Sequence, residues 1–186
     1  MIVILSGVSG AGKDTIKRIL MGKDGRIKTL PSYTTREKRV NEIEGQNYYY
    51  VSKEKFKEMI DNNEFYEYSV HHGNYYGTNK KLLNERIKNN IVLKDIDVNG
   101  TEDLLKIFRG TEIKIISIFL NITKEEMLRR LENRDDKLKQ EEIELRMNRY
   151  DYEMNHIGIY DYVIKNYDAE KTSNIILDII KREQEQ

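Results

Sequence analysis

The chain has 186 residues, 38 % hydrophobic and 34 % charged, with 32 basic and 32 acidic side chains and so a formal net charge of zero. That length holds one compact domain with small inserts, and the charge balance argues against a dedicated nucleic-acid partner. The absence of cysteine excludes disulfides and thiolate-held metal sites, and the three histidines, two of them adjacent, argue against a histidine-built metal centre.

No apolar stretch reaches the roughly 18 residues that would span a bilayer. The apolar start Met1–Gly7 lacks the basic segment of a secretory signal. A soluble, cytoplasmic protein with no membrane partner is expected.

Ile2, Val3, Ile4 and Leu5 form a continuous apolar run, the pattern of a strand buried on both faces. A glycine-rich turn from Gly7 to Gly12 follows, and Ile16, Ile19 and Leu20 then recur at helical spacing. From Ser32 to about Thr78 the chain is dense in tyrosine, with one helix expected between Lys53 and Asn62 and short strands around it. Ile91–Leu93 reads as another buried strand, Leu104–Phe108 as a short helix, and Glu112–Leu120 as a strand. Thr123 with Glu126 has the spacing of a capping box ahead of a helix carrying Met127, Leu128 and Leu131. A charged segment from Arg129 to Arg149, a strand at Tyr162–Ile164 and a helix through Ile175–Ile180 complete the chain. Strands alternating with helices predict a parallel α/β sheet.

The segment Gly7-Val8-Ser9-Gly10-Ala11-Gly12-Lys13-Asp14 fits a phosphate-binding loop at all but its last position. Glycines let backbone N–H groups turn inward around a phosphate, and the following helix adds its positive dipole end. Gly7, Ser9, Gly10, Ala11, Gly12, Lys13, Asp14 and Thr15 are therefore candidate residues for binding a nucleoside triphosphate, with Lys13 reaching the β- and γ-phosphates. Asp14 stands where a hydroxyl usually ligates Mg²⁺. A carboxylate there can hold the metal directly or through water, or serve the helix end as a cap or dipole partner.

Downstream, Ser32-Tyr33-Thr34-Thr35-Arg36-Glu37-Lys38-Arg39 places two arginines three apart in a polar loop, and arginine forks bind phosphate bidentately. Glu42, Gly45 and Tyr48 follow, then Phe65-Tyr66-Glu67, Gly73-Asn74-Tyr75-Tyr76-Gly77-Thr78 and Asp95-Ile96-Asp97 with Gly100. Taken in series, these motifs resemble those of the guanylate kinase family, from Gly7 to Asn166.

The resemblance implies a P-loop NTPase three-layer fold with a parallel sheet, a small mixed α/β insert for the nucleoside monophosphate and a helical lid. Its core would be 1–31, 79–128 and 150–186, its insert 32–78 and its lid 129–149. It implies ATP-dependent phosphorylation of GMP, and of dGMP, by direct in-line transfer with Mg²⁺. Arg36, Arg39, Tyr48 and Tyr76 would grip the GMP phosphate, while Ser32, Glu67 and Thr78, helped by Asp97, would read the guanine. A carboxylate at Glu67 can accept from guanine N1–H and N2–H₂ but would face the ring acceptor of adenine, and a hydroxyl at Ser32 or Thr78 can donate to O6. Asp95 joins Asp14 as a metal candidate. On a strand, Asp95 and Asp97 would point to one face; either carboxylate could instead cap the backbone near Gly100. Arg130, Arg134 and Arg146 would close over the triphosphate as catalytic cations with Lys13 and Arg39, and Asn166 would lie near the adenine. His71 and His72 read as solvated loop residues, and Lys94 is out of place in its apolar run.

Two other readings compete. One is a kinase of the same fold acting on another acceptor such as a ribosyl phosphate. The other is a non-catalytic guanylate-kinase-like binding domain. Either a monomer or a homodimer fits the sequence.

Overall fold

A computed structural model describes residues 1–40, 42–71, 73–133 and 140–185. In chain order its elements begin with β1 (Ile2–Gly7), α1 (Lys13–Lys23), β2 (Ile27–Thr29), β3 (Ser32–Thr34), β4 (Tyr48–Tyr50) and α2 (Lys53–Asp61). There follow β5 (Phe65–His71), β6 (Asn74–Asn79), α3 (Lys80–Ile87), β7 (Ile91–Asp95), α4 (Val98–Phe108) and β8 (Ile115–Asn121). The last are α5 (Lys124–Glu132), α6 (Gln140–Asn155), a 3₁₀ turn at Ile157–Ile159, β9 (Tyr162–Lys165) and α7 (Ala169–Gln184). One sheet has five strands in the order β2-β7-β1-β8-β9, and the other has four in the order β4-β3-β6-β5. None of the described helices is long and apolar enough to cross a membrane.

The chain divides into two compact units, Met1–Ile2 with Arg26–Ile115, and Val3–Gly25 with Ile116–Gln186. In the first, β2 runs parallel to β7 with Ile27 opposite Ile91. Its mixed sheet pairs β3 parallel to β4 and antiparallel to β6, while β5 and β6 form an antiparallel pair with a register shift between Phe65 and Glu67. Phe56, Met59 and Phe65 form the small core beneath this sheet, with Tyr33, Val51, Ile60 and Tyr75 packed against it. Gly77 belongs to that packing, because a Cβ there would stand 2.8 Å from the Phe65 ring and 2.9 Å from that of Phe56. α2 starts where the Ser52 hydroxyl accepts from the Lys55 N–H, and it buries Phe56 and Met59 at a spacing of three.

In the second unit β8 runs parallel to β9. Val3, Ile4, Leu5, Ile118, Phe119 and Leu120 are all 0 % exposed, as the continuous apolar runs require. α1 buries Ile16 and Leu20, one turn apart, and packs against α7. Lys23 ties the two helices at the surface, 2.7 Å from both Glu170 and the Asn174 amide oxygen. Thr123 caps α5 by accepting from the Glu126 N–H at 3.2 Å, as the sequence pattern requires.

Candidate functional site

The second unit carries the phosphate loop. Gly10 and Gly12 have φ of 74° and 88°, left-handed values that favour glycine. Gly7 ends β1 so close to β8 that a Cβ would stand 2.4 Å from the Leu120 carbonyl oxygen. The loop thus folds over itself, with the Ala11 N–H donating to the Val8 carbonyl at 3.1 Å. Lys13 opens α1 and turns back, donating to the Gly7 carbonyl at 2.8 Å.

Three expected side chains gather on this loop. Arg130 donates to the Gly10 carbonyl at 3.1 Å and to the Asn166 carbonyl at 2.9 Å, while its Nε meets Glu126 at 2.7 Å. Arg146 donates to the Ser9 hydroxyl at 3.1 Å. Asn166 is 3 % exposed and donates from Nδ2 to the Ala11 carbonyl at 2.6 Å, so its side chain braces the loop. Hydrogen bonds from Arg129 and Arg130 hold the Glu126 carboxyl down at about 2. Arg134 lies outside the described residues, as does 135–139 of the expected lid.

Asp14 projects from the first turn of α1 with its side chain 95 % exposed, 2.6 Å from Lys17. Thr15 is exposed beside it. Among the described residues no group of three or more histidine and acidic side chains forms a protein cage for a metal. Mg²⁺ needs none, since it is held by one or two carboxylates together with substrate phosphates and water. Asp14 in the first turn of α1, and Asp95 as the last residue of β7, each carry a carboxylate of the type that chemistry uses.

The first unit carries the acceptor residues. The Ser32–Arg36 segment is stitched to β6: Thr34 Oγ1 donates to the Tyr75 carbonyl at 2.9 Å, and Thr35 Oγ1 accepts from the Tyr75 N–H at 3.0 Å. This aims Arg36 over the Tyr48 ring, 5.2 Å from its centroid, and Tyr48 meets Tyr76 edge to face at 5.8 Å. Three of the four expected phosphate ligands are therefore assembled. The fourth, Arg39, has an exposed side chain.

Glu42 organises this group, a role the sequence reading did not assign. It accepts from Arg36 Nη2 at 2.6 Å, from the Tyr50 hydroxyl at 2.8 Å and from the Arg39 backbone N–H at 2.9 Å. Burial alone would raise its pKa, but these donors overcome that and lower it from 4.5 to about 2. Burial and the Glu42 carboxylate push the Tyr50 phenol up to about 12. The available signal was an acid six residues after Arg36, in a loop that also carries Lys38 and Arg39.

Glu67 and Thr78 sit opposite each other on β5 and β6, 7 % and 0 % exposed. The Thr78 hydroxyl donates to Glu67 Oε1. Burial raises the Glu67 pKa, while the Lys94 charge and the Thr78 bond draw it back. Lys94 is 1 % exposed, buried within β7 rather than emerging from it, and donates to Ser32 Oγ at 2.5 Å.

Asp97 is off the strand. It is the N-cap of α4, accepting from the Gly100 N–H at 2.9 Å, so the expected shared face with Asp95 gives way to a helix start. Its other oxygen stands 2.8 Å from His71 Nε2. His71 is thus a strand residue in contact with a site residue, not the solvated loop residue expected. His72 lies outside the described residues.

The chain matches the family model described as "Guanylate kinase" over residues 1–183. It is 39 % identical to a guanylate kinase of Prochlorococcus marinus subsp. pastoris, covering 97 % of this chain and 96 % of that protein. It is 38 % identical to one of Rickettsia felis, covering 100 % and 95 %. The crystal structure of guanylate kinase from Anaplasma phagocytophilum is similar with a TM-score of 0.80 at 30 % identity, covering 100 % of this chain and 87 % of that one.

Proposed function

The chain belongs to the guanylate kinase family, and from that membership we propose how its own side chains carry out ATP-dependent phosphorylation of GMP. The observation that carries the acceptor reading is Glu67, a carboxylate 7 % exposed with Thr78 bonded to one oxygen. A buried acceptor suits the N1–H and N2–H₂ edge of guanine and repels the ring acceptor of adenine. A ribosyl phosphate has no base edge to donate to the second oxygen of that buried carboxylate, and an unmet acceptor is costly there.

Arg36, Arg39, Tyr48 and Tyr76 bind the phosphate of GMP, with Glu42 holding Arg36 in its bound direction. Ser32, Glu67 and Thr78 contact the base, and Asp97 supports it from the start of α4. On the donor side the backbone N–H groups of Gly7–Gly12 cradle the ATP phosphates, and Asn166 and Arg130 brace that loop.

The acceptor is a phosphate dianion at neutral pH, so the reaction needs no general base. Transfer through a loose transition state needs alignment and positive charge. Lys13, Arg39, Arg130 and Arg146 supply that charge, together with Arg134. Mg²⁺ neutralises charge on the β- and γ-phosphate oxygens when bound, and Asp14 and Asp95 are the carboxylates that would hold it.

Calorimetric titration with GMP and AMP, without ATP, tests the acceptor site. Binding of GMP but not AMP, lost in Glu67→Gln, supports the reading. Equal binding of both nucleotides contradicts it.

A further inference from the structure

Lys94 has no part in the scheme above, yet it is among the largest fully buried side chains in the molecule. Its neighbours on β7, Ile91, Val92 and Leu93, are apolar and at most 3 % exposed. An ammonium is expensive to bury unless it is paired and hydrogen-bonded. Lys94 donates to Ser32 Oγ at 2.5 Å and approaches the Leu30 carbonyl at 3.4 Å, and its charge acts on Glu67. The cation therefore sits among the side chains assigned to the base.

The hydrogen bonds have a direction. A hydroxyl carries one proton and two lone pairs, and an ammonium can only donate. The Thr78 proton is committed to Glu67, so it cannot be given to a base carbonyl. Ser32 receives a proton from Lys94 on its oxygen, which leaves its own O–H to point elsewhere. Of the two hydroxyls expected to serve O6, only Ser32 keeps its proton for the ligand.

We propose that Lys94 is a specificity-determining residue of the acceptor pocket, acting through Ser32: it fixes the Ser32 hydroxyl as a donor, so the pocket selects a purine with a 6-oxo acceptor. Lys94 is a positioning residue in this scheme and need not touch the nucleotide. The inference rests on the reading of Ser32 and Glu67 as base contacts.

The test is steady-state kinetics of wild type, Lys94→Met and Ser32→Ala with GMP, IMP, AMP and 6-thio-GMP. 6-thio-GMP keeps the N1–H and 2-amino donors and replaces O6 by a weak acceptor. IMP keeps O6 and lacks the 2-amino group. In Lys94→Met, KM for GMP and for IMP should each rise about tenfold, the worth of one well-made hydrogen bond. 6-thio-GMP should change little, so its disadvantage against GMP shrinks, and KM for ATP should stay put. Ser32→Ala should reproduce that pattern, and the double variant should add nothing to it.

A uniform loss with all acceptors in Lys94→Met marks a merely structural cation and overturns the proposal. If Lys94→Met does not fold, Ser32→Ala still decides: an unchanged preference for GMP over 6-thio-GMP also overturns it. A wild-type protein that does not prefer GMP to AMP would instead sink the base-contact reading itself.

Discussion

Arg36 Nη2 stands 2.6 Å from Glu42 Oε1, and both side chains are mostly withdrawn from solvent, 17 % and 15 % exposed. The pair directs a guanidinium across the Tyr48 ring before any phosphate arrives. An arginine held this way loses little freedom on binding, which favours affinity.

Glu42→Gln should therefore raise KM for GMP about tenfold while leaving KM for ATP unchanged. The carboxyl is lowered to about 2 in the folded chain from 4.5, so its contribution to stability is full above the higher value and is lost as pH falls through the lower one. Thermal melts between those two pH values should fall more steeply in wild type than in Glu42→Gln. Parallel melting curves in the two proteins would refute this role.

Glu67 has the opposite sign. Its pKa is raised by burial, so the folded chain binds that proton more tightly than the unfolded chain. Stability then falls as pH rises from the ordinary carboxylate range through the raised value. Glu67→Gln should melt no lower than wild type at neutral pH, yet its KM for GMP should rise at least about tenfold. In wild type, affinity for GMP should weaken as pH drops into the raised range, because the protonated carboxyl offers a donor to N1–H. Calorimetry across that range checks it.

Gly12→Ala should disable the phosphate loop. Its φ of 88° strains any other residue, and the new Cβ would stand 2.9 Å from Asn166 Nδ2, which is already bonded to Ala11. The combined strain is on the order of 1–3 kcal/mol. ATP binding should be lost in nucleotide titrations, while GMP binding to the acceptor residues remains. Loss of both together would point to global unfolding instead.

Lys13→Ala and Arg39→Ala should each lower turnover at least about a hundredfold, the scale of a lost transition-state charge contact. Arg39 is exposed, so its variant should melt like wild type. Near-wild-type turnover in either variant would remove that residue from the catalytic set.

Much of this was legible in the chain. The run Ile2–Leu5 before a glycine turn gave β1 and the loop, because apolar continuity and glycine spacing are local signals. α2 falls at Lys53–Asp61 and β7 at Ile91–Asp95, close to the expected bounds. α4 begins earlier than its apolar residues indicated, at Val98, because Asp97 caps it. β2 and α3 were not anticipated. β2 is three residues long, and α3 buries Leu83 alone, so neither has a periodic pattern to read.

Partner choice was the illegible part. Glu42 reads as a surface acid until the Arg36 and Tyr50 side chains are seen to meet on it. Lys94 reads as an anomaly until Ser32, 62 positions away, is found beneath its ammonium. Such contacts depend on chain crossings that no local spacing encodes.

The most direct test of the central claim is ADP formation from Mg-ATP with GMP, dGMP, AMP, CMP and UMP supplied separately. The account predicts turnover with GMP and dGMP and background rates with the other three. Turnover with AMP matching that with GMP, or background rates with all five, would contradict it.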